Sequence, residues 1–293
     1  MIDPNTALAF SLFENKGVYA LLLGSGVSRA AEIPTGWEIT LDLTRRLGLL
    51  EGVTEQADWA AWHQGRFGKP PSYSQLLDML ATTPAERQAL LHSYIVPTTE
   101  DVEEGRRTPT KAHLAIARLI RDGFIRVIIT TNFDRLLEAA LQAVNVAPIV
   151  IRSQDDLLGA TPLAHAQCYI VKVHGDYLDT RLRNTEGELA SYSQPQDQLL
   201  DRIFDEYGLI VCGWSSDWDT ALRAAITRAP SRRYPLFWAS RGEPSASAQD
   251  LIAQRAGRIV PIESADGFFA GLQTKLAAQG MDLLRMSPYA RTR

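Results

Sequence analysis

Four short stretches carry the side chains that could do chemistry, and each stands directly after an apolar run. Gly24-Ser25-Gly26-Val27-Ser28 follows residues 19–23, and Thr130-Thr131-Asn132-Phe133-Asp134 follows residues 125–129. His174-Gly175-Asp176 follows residues 169–173, and Gly213-Trp214-Ser215-Ser216-Asp217 follows residues 209–212. Glycines let a backbone approach a ligand closely, and the free N–H groups of a helix start favour an anion, so Gly24 and Gly26 form a candidate phosphate cradle. His174 sits between an apolar run and a glycine, where a ligand could approach. Asn132 could orient a substrate or simply close a turn, and Asp134 could contact a ligand, cap the helix that follows it, or do both. His113 lies inside a helical stretch, where a buried hydrogen bond is expected rather than a proton transfer.

The elements that must position these residues follow from the apolar pattern. Strands are expected at residues 19–23, 125–130, 148–151, 166–173, 207–212, 235–239 and 258–262. Helices are expected at 6–14, 37–50, 110–121, 134–144, 196–206, 219–228, 247–254 and 267–277. Such alternation argues for an α/β fold with a doubly wound, mostly parallel sheet. Ligands bind such sheets outside the carboxyl ends of the strands, which is where the four stretches fall. Residues 51–107 change character: helical patterns, Gly65, Gly68, Pro70 and Pro71 between them, and no strand alternation. The expected organisation is a single domain over 1–293 with a helical insertion lobe at 51–107.

Bulk properties remove several classes. The chain of 293 residues is 45% hydrophobic and 22% charged, enough for a sizeable core. A net charge of −4 gives no support for direct nucleic-acid binding. The two cysteines, Cys168 and Cys212, sit in apolar runs and are too few for a four-cysteine zinc site. No metal is expected. The composition, with no signal pattern and no apolar run of about 18 residues, fits a cytoplasmic protein. Ser25 lacks the Gly-x-Ser-x-Gly elbow of serine hydrolases, and no Gly-Lys-Ser/Thr follows Gly24 to make a P-loop. The dinucleotide fingerprint is matched only in part, with Arg29 where the third glycine belongs.

Taken in order, the motifs resemble those of the sirtuins. Gly24 to Ser28 with Ile33-Pro34 resembles the Gly-Ala-Gly-x-Ser … Gly-Ile-Pro segment, and Pro109 through His113 resembles the Pro-x-x-Ala-His helix. Thr131-Asn132-Phe133-Asp134 is similar to Gln-Asn-x-Asp, Val173-His174-Gly175 to the catalytic His-Gly, and Gly213-Trp214-Ser215 to Gly-Thr-Ser. The chain departs from the deacetylases in lacking the zinc-ribbon cysteines and the Phe-Arg after Ile-Pro. Gly213 through Asp217 is closer to the Gly-Tyr-Ser-x-x-Asp form of the zinc-less NAD⁺-cleaving members found in bacterial anti-phage systems.

That resemblance implies a Rossmann-like NAD-binding domain. It implies hydrolysis of the nicotinamide–ribose bond of NAD⁺ to nicotinamide and ADP-ribose, with NAD as substrate. Asn132, His174 and Asp134 would then be catalytic: Asn132 placing the water and ribose, His174 as general base, and Asp134 engaging the nicotinamide carboxamide. Gly24, Ser25, Gly26 and Ser28 would bind the pyrophosphate, Gly213 and Ser215 the adenosine half, with Thr131 and Trp214 also in the cofactor site. The alternatives are NAD-dependent protein deacylation or ADP-ribosyl transfer, and a non-catalytic NAD-sensing assembly module. The expected partners are further copies of the chain, or a protein such as a hexameric DNA-translocase ATPase or a short Argonaute.

Overall fold

Mostly apolar runs of three to six residues build the centre of this protein, because a strand covered on both faces has no polar side to show. In the computed structural model, which describes residues 2–179, 183, 187–188, 190–230 and 233–286, these runs form one sheet of seven parallel strands. The strands are β1 (Tyr19–Leu23), β2 (Ile125–Thr130), β3 (Ile149–Ile151), β4 (Tyr169–Lys172), β5 (Gly208–Cys212), β6 (Leu236–Ser240) and β7 (Arg258–Pro261). Their spatial order is β3-β4-β2-β1-β5-β6-β7. The doubly wound, Rossmann-like fold read from the sequence is therefore the fold observed.

Side chains alternate between the two faces, as strand geometry requires. Tyr19, Leu21, Ile128, Ile170 and Ile210 pack on one face. That face is covered by α1 (Pro4–Glu14), α7 (Lys111–Arg121), α8 (Leu136–Ala143) and α13 (Ala265–Met286). Ala20, Leu22, Ile129, Val171 and Val211 pack on the other, under α10 (Gln194–Glu206), α11 (Thr220–Arg228) and α12 (Ala246–Gln254). A short helix, α9 (Gln154–Gly159), follows β3 where the sequence pattern gave none.

Between β1 and α7 lie α2 (Gly36–Leu50), α3 (Trp59–Phe67), α4 (Tyr73–Leu80), α5 (Pro84–Ile95) and α6 (Thr99–Glu103). Thr83 and Glu86 form a capping box that starts α5. Leu43, Leu47, Leu76, Leu77, Leu91 and Ile95 make a separate small core, joined to the main body through Leu136 of α8. The backbone N–H of Arg107 donates to the Ala31 carbonyl at 2.8 Å, and Gln88 Nε2 donates to the Tyr177 carbonyl at 2.9 Å. These bonds tie the helical layer to the loops after β1 and β4.

Part of the polar stretch 181–194 and all of residues 287–293 lie outside the described residues. Among the described residues no helix is long and apolar enough to cross a membrane.

Candidate functional site at the strand ends

β1 and β5 lie side by side although more than a hundred residues separate them, and the winding of the sheet reverses between them. A crevice outside the carboxyl ends of two such strands is the usual ligand position in this architecture. Here the two following loops are in backbone contact. Gly24 N–H donates to the Cys212 carbonyl, and Gly26 N–H donates to the Gly213 carbonyl, both at 3.0 Å. A Cβ on Gly24 would stand 2.4 Å from the Gly213 oxygen, and Gly213 itself has φ +73°. Gly213 thus needs a left-handed backbone and a bare Cα at once.

The helical stretch expected after the glycines is short and of 3-10 form. Ser25–Val27 and Arg29–Ala31 are tight 3-10 turns, closed by Glu32 at φ +58°. The N–H groups of Gly26, Val27 and Ser28 are already donated, to Gly213, Gly24 and Ser25 respectively. The glycines are required first for the join between two loops.

Ser28 departs from its expected place against a pyrophosphate. It is fully buried, and its hydroxyl is saturated within the protein. It donates to Asp134 Oδ2 at 2.7 Å and accepts from Asn132 Nδ2 at 3.1 Å. His113 Nδ1 accepts from the Thr110 N–H at 3.2 Å, which leaves Nε2 as the protonated nitrogen, 3.5 Å from the same hydroxyl. One donor and two acceptor positions are all that a hydroxyl has. Burial holds His113 below the usual imidazole range, against the opposing charges of Asp134 and Asp266, so its ring is neutral at neutral pH. Asp134 also accepts the Leu136 N–H at 3.1 Å, so it opens α8 and binds Ser28 together.

Asn132 Oδ1 is the exception to this saturation. It is buried and has no hydrogen-bond partner. A cavity of about 10 Å³, roughly the room one water needs, is lined by Val27, His113, Asn132, Asp134 and Leu137 among others.

A buried ammonium joins the β2 and β4 loops. Lys172, 1% exposed, donates to the Asp134 carbonyl at 2.6 Å, to Asp176 Oδ2 at 2.9 Å and to Glu138 Oε1 at 3.2 Å. Two residues on, His174 Nε2 lies 2.5 Å from Asp219 Oδ1. Asp219 Oδ2 accepts the Trp214 indole N–H at 2.8 Å. Burial alone would push the Asp219 carboxyl up, but His174, Trp214 and Arg223 outweigh it and hold the carboxyl below the usual range.

Residues 126–260 match the SIR2-like domain. The matched stretch runs from β2 into β7 and contains Asn132, Asp134, His174 and Asp219, while the Gly24 loop reaches it only through the fold. The SIR2-like architecture extends over nearly the whole chain. A structure described as the basis for the mechanism and regulation of Sir2 enzymes superposes with a TM-score of 0.54 at 14% identity. It covers 95% of this chain and 100% of that one. A mutated Sir2 homologue in complex with 2′-O-acetyl ADP-ribose superposes with a TM-score of 0.52 at 16% identity, covering 95% and 98%. At such identities the likeness shows the fold. No curated protein matches the sequence.

The SIR2-like fold brings Ser28, His113, Asn132 and Asp134 into one hydrogen-bonded group, with His174 beside it through the 6.1 Å contact of its ring with Phe133. Thr131 lies half-buried on the same rim, its N–H bonded to the Leu23 carbonyl. Ser25 and Gly26 are half-buried at the β1 loop. Trp214 is buried against Trp238, their ring centroids 5.8 Å apart, so its indole supports Asp219 from below the rim. Ser215 is exposed, with its carbonyl bonded by the Ser245 hydroxyl. Asp217, the acid read in the sequence motif, instead accepts from Ser247 at 2.7 Å on the surface. Asp219 reaches His174 and was missed, because the pattern made it only the first residue of the helix expected at 219–228. Lys172 was missed because it looked like one polar residue ending an apolar strand.

Proposed function

We propose that this chain is an NAD⁺ glycohydrolase that cleaves the nicotinamide–ribose bond and serves as an NAD-depleting effector in anti-phage defence. The SIR2-like fold supports an NAD-dependent activity. The observation that carries the hydrolytic reading is the unpartnered, buried Oδ1 of Asn132. A buried polar atom without a partner costs on the order of 1–3 kcal/mol, and a site tolerates that cost where a ligand is to supply the partner. An amide oxygen accepts a hydrogen bond from water and so turns the water's lone pair towards an electrophilic carbon. The cavity beside Asn132 is of water size.

Each residue then has a defined task. Asn132, held by Ser28 through its Nδ2, orients the water at the ribose anomeric carbon. The carbon–nitrogen bond breaks with its electron pair going to the nicotinamide nitrogen, and a carbon–oxygen bond forms from the water. His174 takes the water's proton. Asp134 and Thr131 face the nicotinamide side, and Ser25, Gly24, Gly26, Gly213 and Ser215 line the path of the dinucleotide between β1 and β5. Control comes from assembly, with further copies of the chain or with a partner such as a hexameric DNA-translocase ATPase or a short Argonaute.

Nicotinamide release, followed with the purified chain alone and with its genomic neighbours, tests the reading. Asn132→Ala and His174→Ala are each expected to lower turnover by roughly 10²–10⁴-fold. Undiminished release by both variants overturns it. A product that forms only with an acylated peptide would instead indicate deacylation, and tight NAD binding with no turnover in any assembly would indicate a sensor.

A further inference from the structure

The His174–Asp219 contact links two loops 45 residues apart, and both residues are buried. Asp219 is held from several directions. Its second oxygen is fixed by Trp214, itself packed on Trp238, and its carbonyl accepts the Arg223 N–H in the first turn of α11. The loop that delivers it is tightly wound. Gly213 has φ +73° and Ser216 φ +68°, the latter a left-handed conformation that costs a non-glycine residue on the order of 1–2 kcal/mol. Ser216 is buried and bonded to Ser247 at 2.8 Å, and Ser247 is in turn bonded to Asp217. A loop wound against its own preference and pinned at three places delivers one carboxylate to one ring nitrogen. Strain of this kind persists only where the surroundings over-determine it.

We propose that Asp219 is the positioning residue for His174: it fixes the ring with the proton on Nε2, so that Nδ1 is the atom that accepts the proton from water. A carboxylate only accepts hydrogen bonds, so the nitrogen beside it carries the hydrogen, and a neutral imidazole then has its lone pair on the other nitrogen. The assignment of Nδ1 as base rests on the hydrolase reading, whereas the tautomer does not. The other groups that face the pair are Arg223 from α11 and the buried hydroxyl of Tyr192. Burial first, and then the Asp219 charge, push that hydroxyl above its usual range, so it stays neutral.

Two readouts separate the claims. Nitrogen-15 shifts of His174 in the full chain report the tautomer directly, with the Nε2–H form expected in the wild type and the Nδ1–H form overturning the proposal. Asp219→Asn removes the charge at nearly constant shape and is expected to move the His174 nitrogen-15 pattern away from the Nε2–H form. It is also expected to lower kcat by roughly 10²–10⁴-fold with KM little changed. Asp219→Glu should restore part of both. A His174 tautomer unchanged in Asp219→Asn, or a faster turnover in that variant, overturns the positioning role. If Asp219→Asn does not fold, the wild-type tautomer decides alone, the Nδ1–H form overturning the proposal. An Nε2–H form in a chain that never releases nicotinamide refutes the hydrolase reading, and Nδ1 as its base, but leaves the Asp219–Nε2 pairing standing.

Discussion

The Ser28 hydroxyl donates to Asp134 Oδ2 at 2.7 Å across 106 residues of sequence, and it also meets Asn132 Nδ2 at 3.1 Å and His113 Nε2 at 3.5 Å. Ser28→Ala therefore removes three interactions by deleting one atom. Leaving buried polar groups unpaired costs on the order of 1–3 kcal/mol. We expect urea melts to show a loss of that size. Nicotinamide release, measured where the variant is fully folded, should fall further than stability accounts for, because the Asn132 amide loses its anchor.

Gly213→Ala tests the join between the β1 and β5 loops. The new Cβ would stand 2.7 Å from Val27 N, on a backbone at φ +73°. The conformational cost is about 1–2 kcal/mol, and overpacking adds roughly 1–3 kcal/mol. The expected outcome is a variant destabilised by about 2 kcal/mol or more in denaturant titration. An unchanged midpoint would mean that the loops separate freely and that the interlock does not constrain the crevice.

Lys172→Met tests the buried ammonium. It leaves Asp176 and Glu138 facing each other, with Arg135 at 3.8 and 3.9 Å from them. Removing one partner of a buried ion pair costs about 3–5 kcal/mol. Thermal melting should show this loss, and neutralising the acids with Glu138→Gln and Asp176→Asn in the Lys172→Met background should recover part of it.

His113 predicts a pH dependence of stability. Burial lowers its folded pKa below the unfolded value of about 6.5. Below that pH the unfolded chain binds a proton that the folded chain refuses, so stability is lost as pH falls through about 6.5 and continues to fall towards the lower folded pKa. The slope is at most about 1.4 kcal/mol per pH unit for one group. Denaturant titrations between about pH 7 and 5.5 should show the decline. His113→Gln, though less stable overall, should flatten it; an identical slope in that variant would assign the effect to another group.

The sequence by itself determined the parallel α/β sheet, because both-face burial leaves apolar runs that composition and spacing reveal. It also marked the rim, because in this architecture whatever follows a strand stands at the carboxyl edge, and Asn132, Asp134, His174 and Gly213 all follow strands. What each residue does at that rim was decided by the tertiary structure. Ser28 read as a pyrophosphate contact, but the approach of β1 to β2 and α7 buries it as a hub. Gly24 and Gly26 read as a phosphate cradle, but the β1–β5 neighbourhood makes their bare Cα atoms a condition for packing against Gly213. Asp219 read as nothing more than the first residue of the helix expected at 219–228, until the left-handed turns at Gly213 and Ser216 brought it beside His174. Strand position is a local property that a periodic pattern encodes. Which donor meets which acceptor across 45 or 106 residues depends on the sheet order, which no local pattern carries.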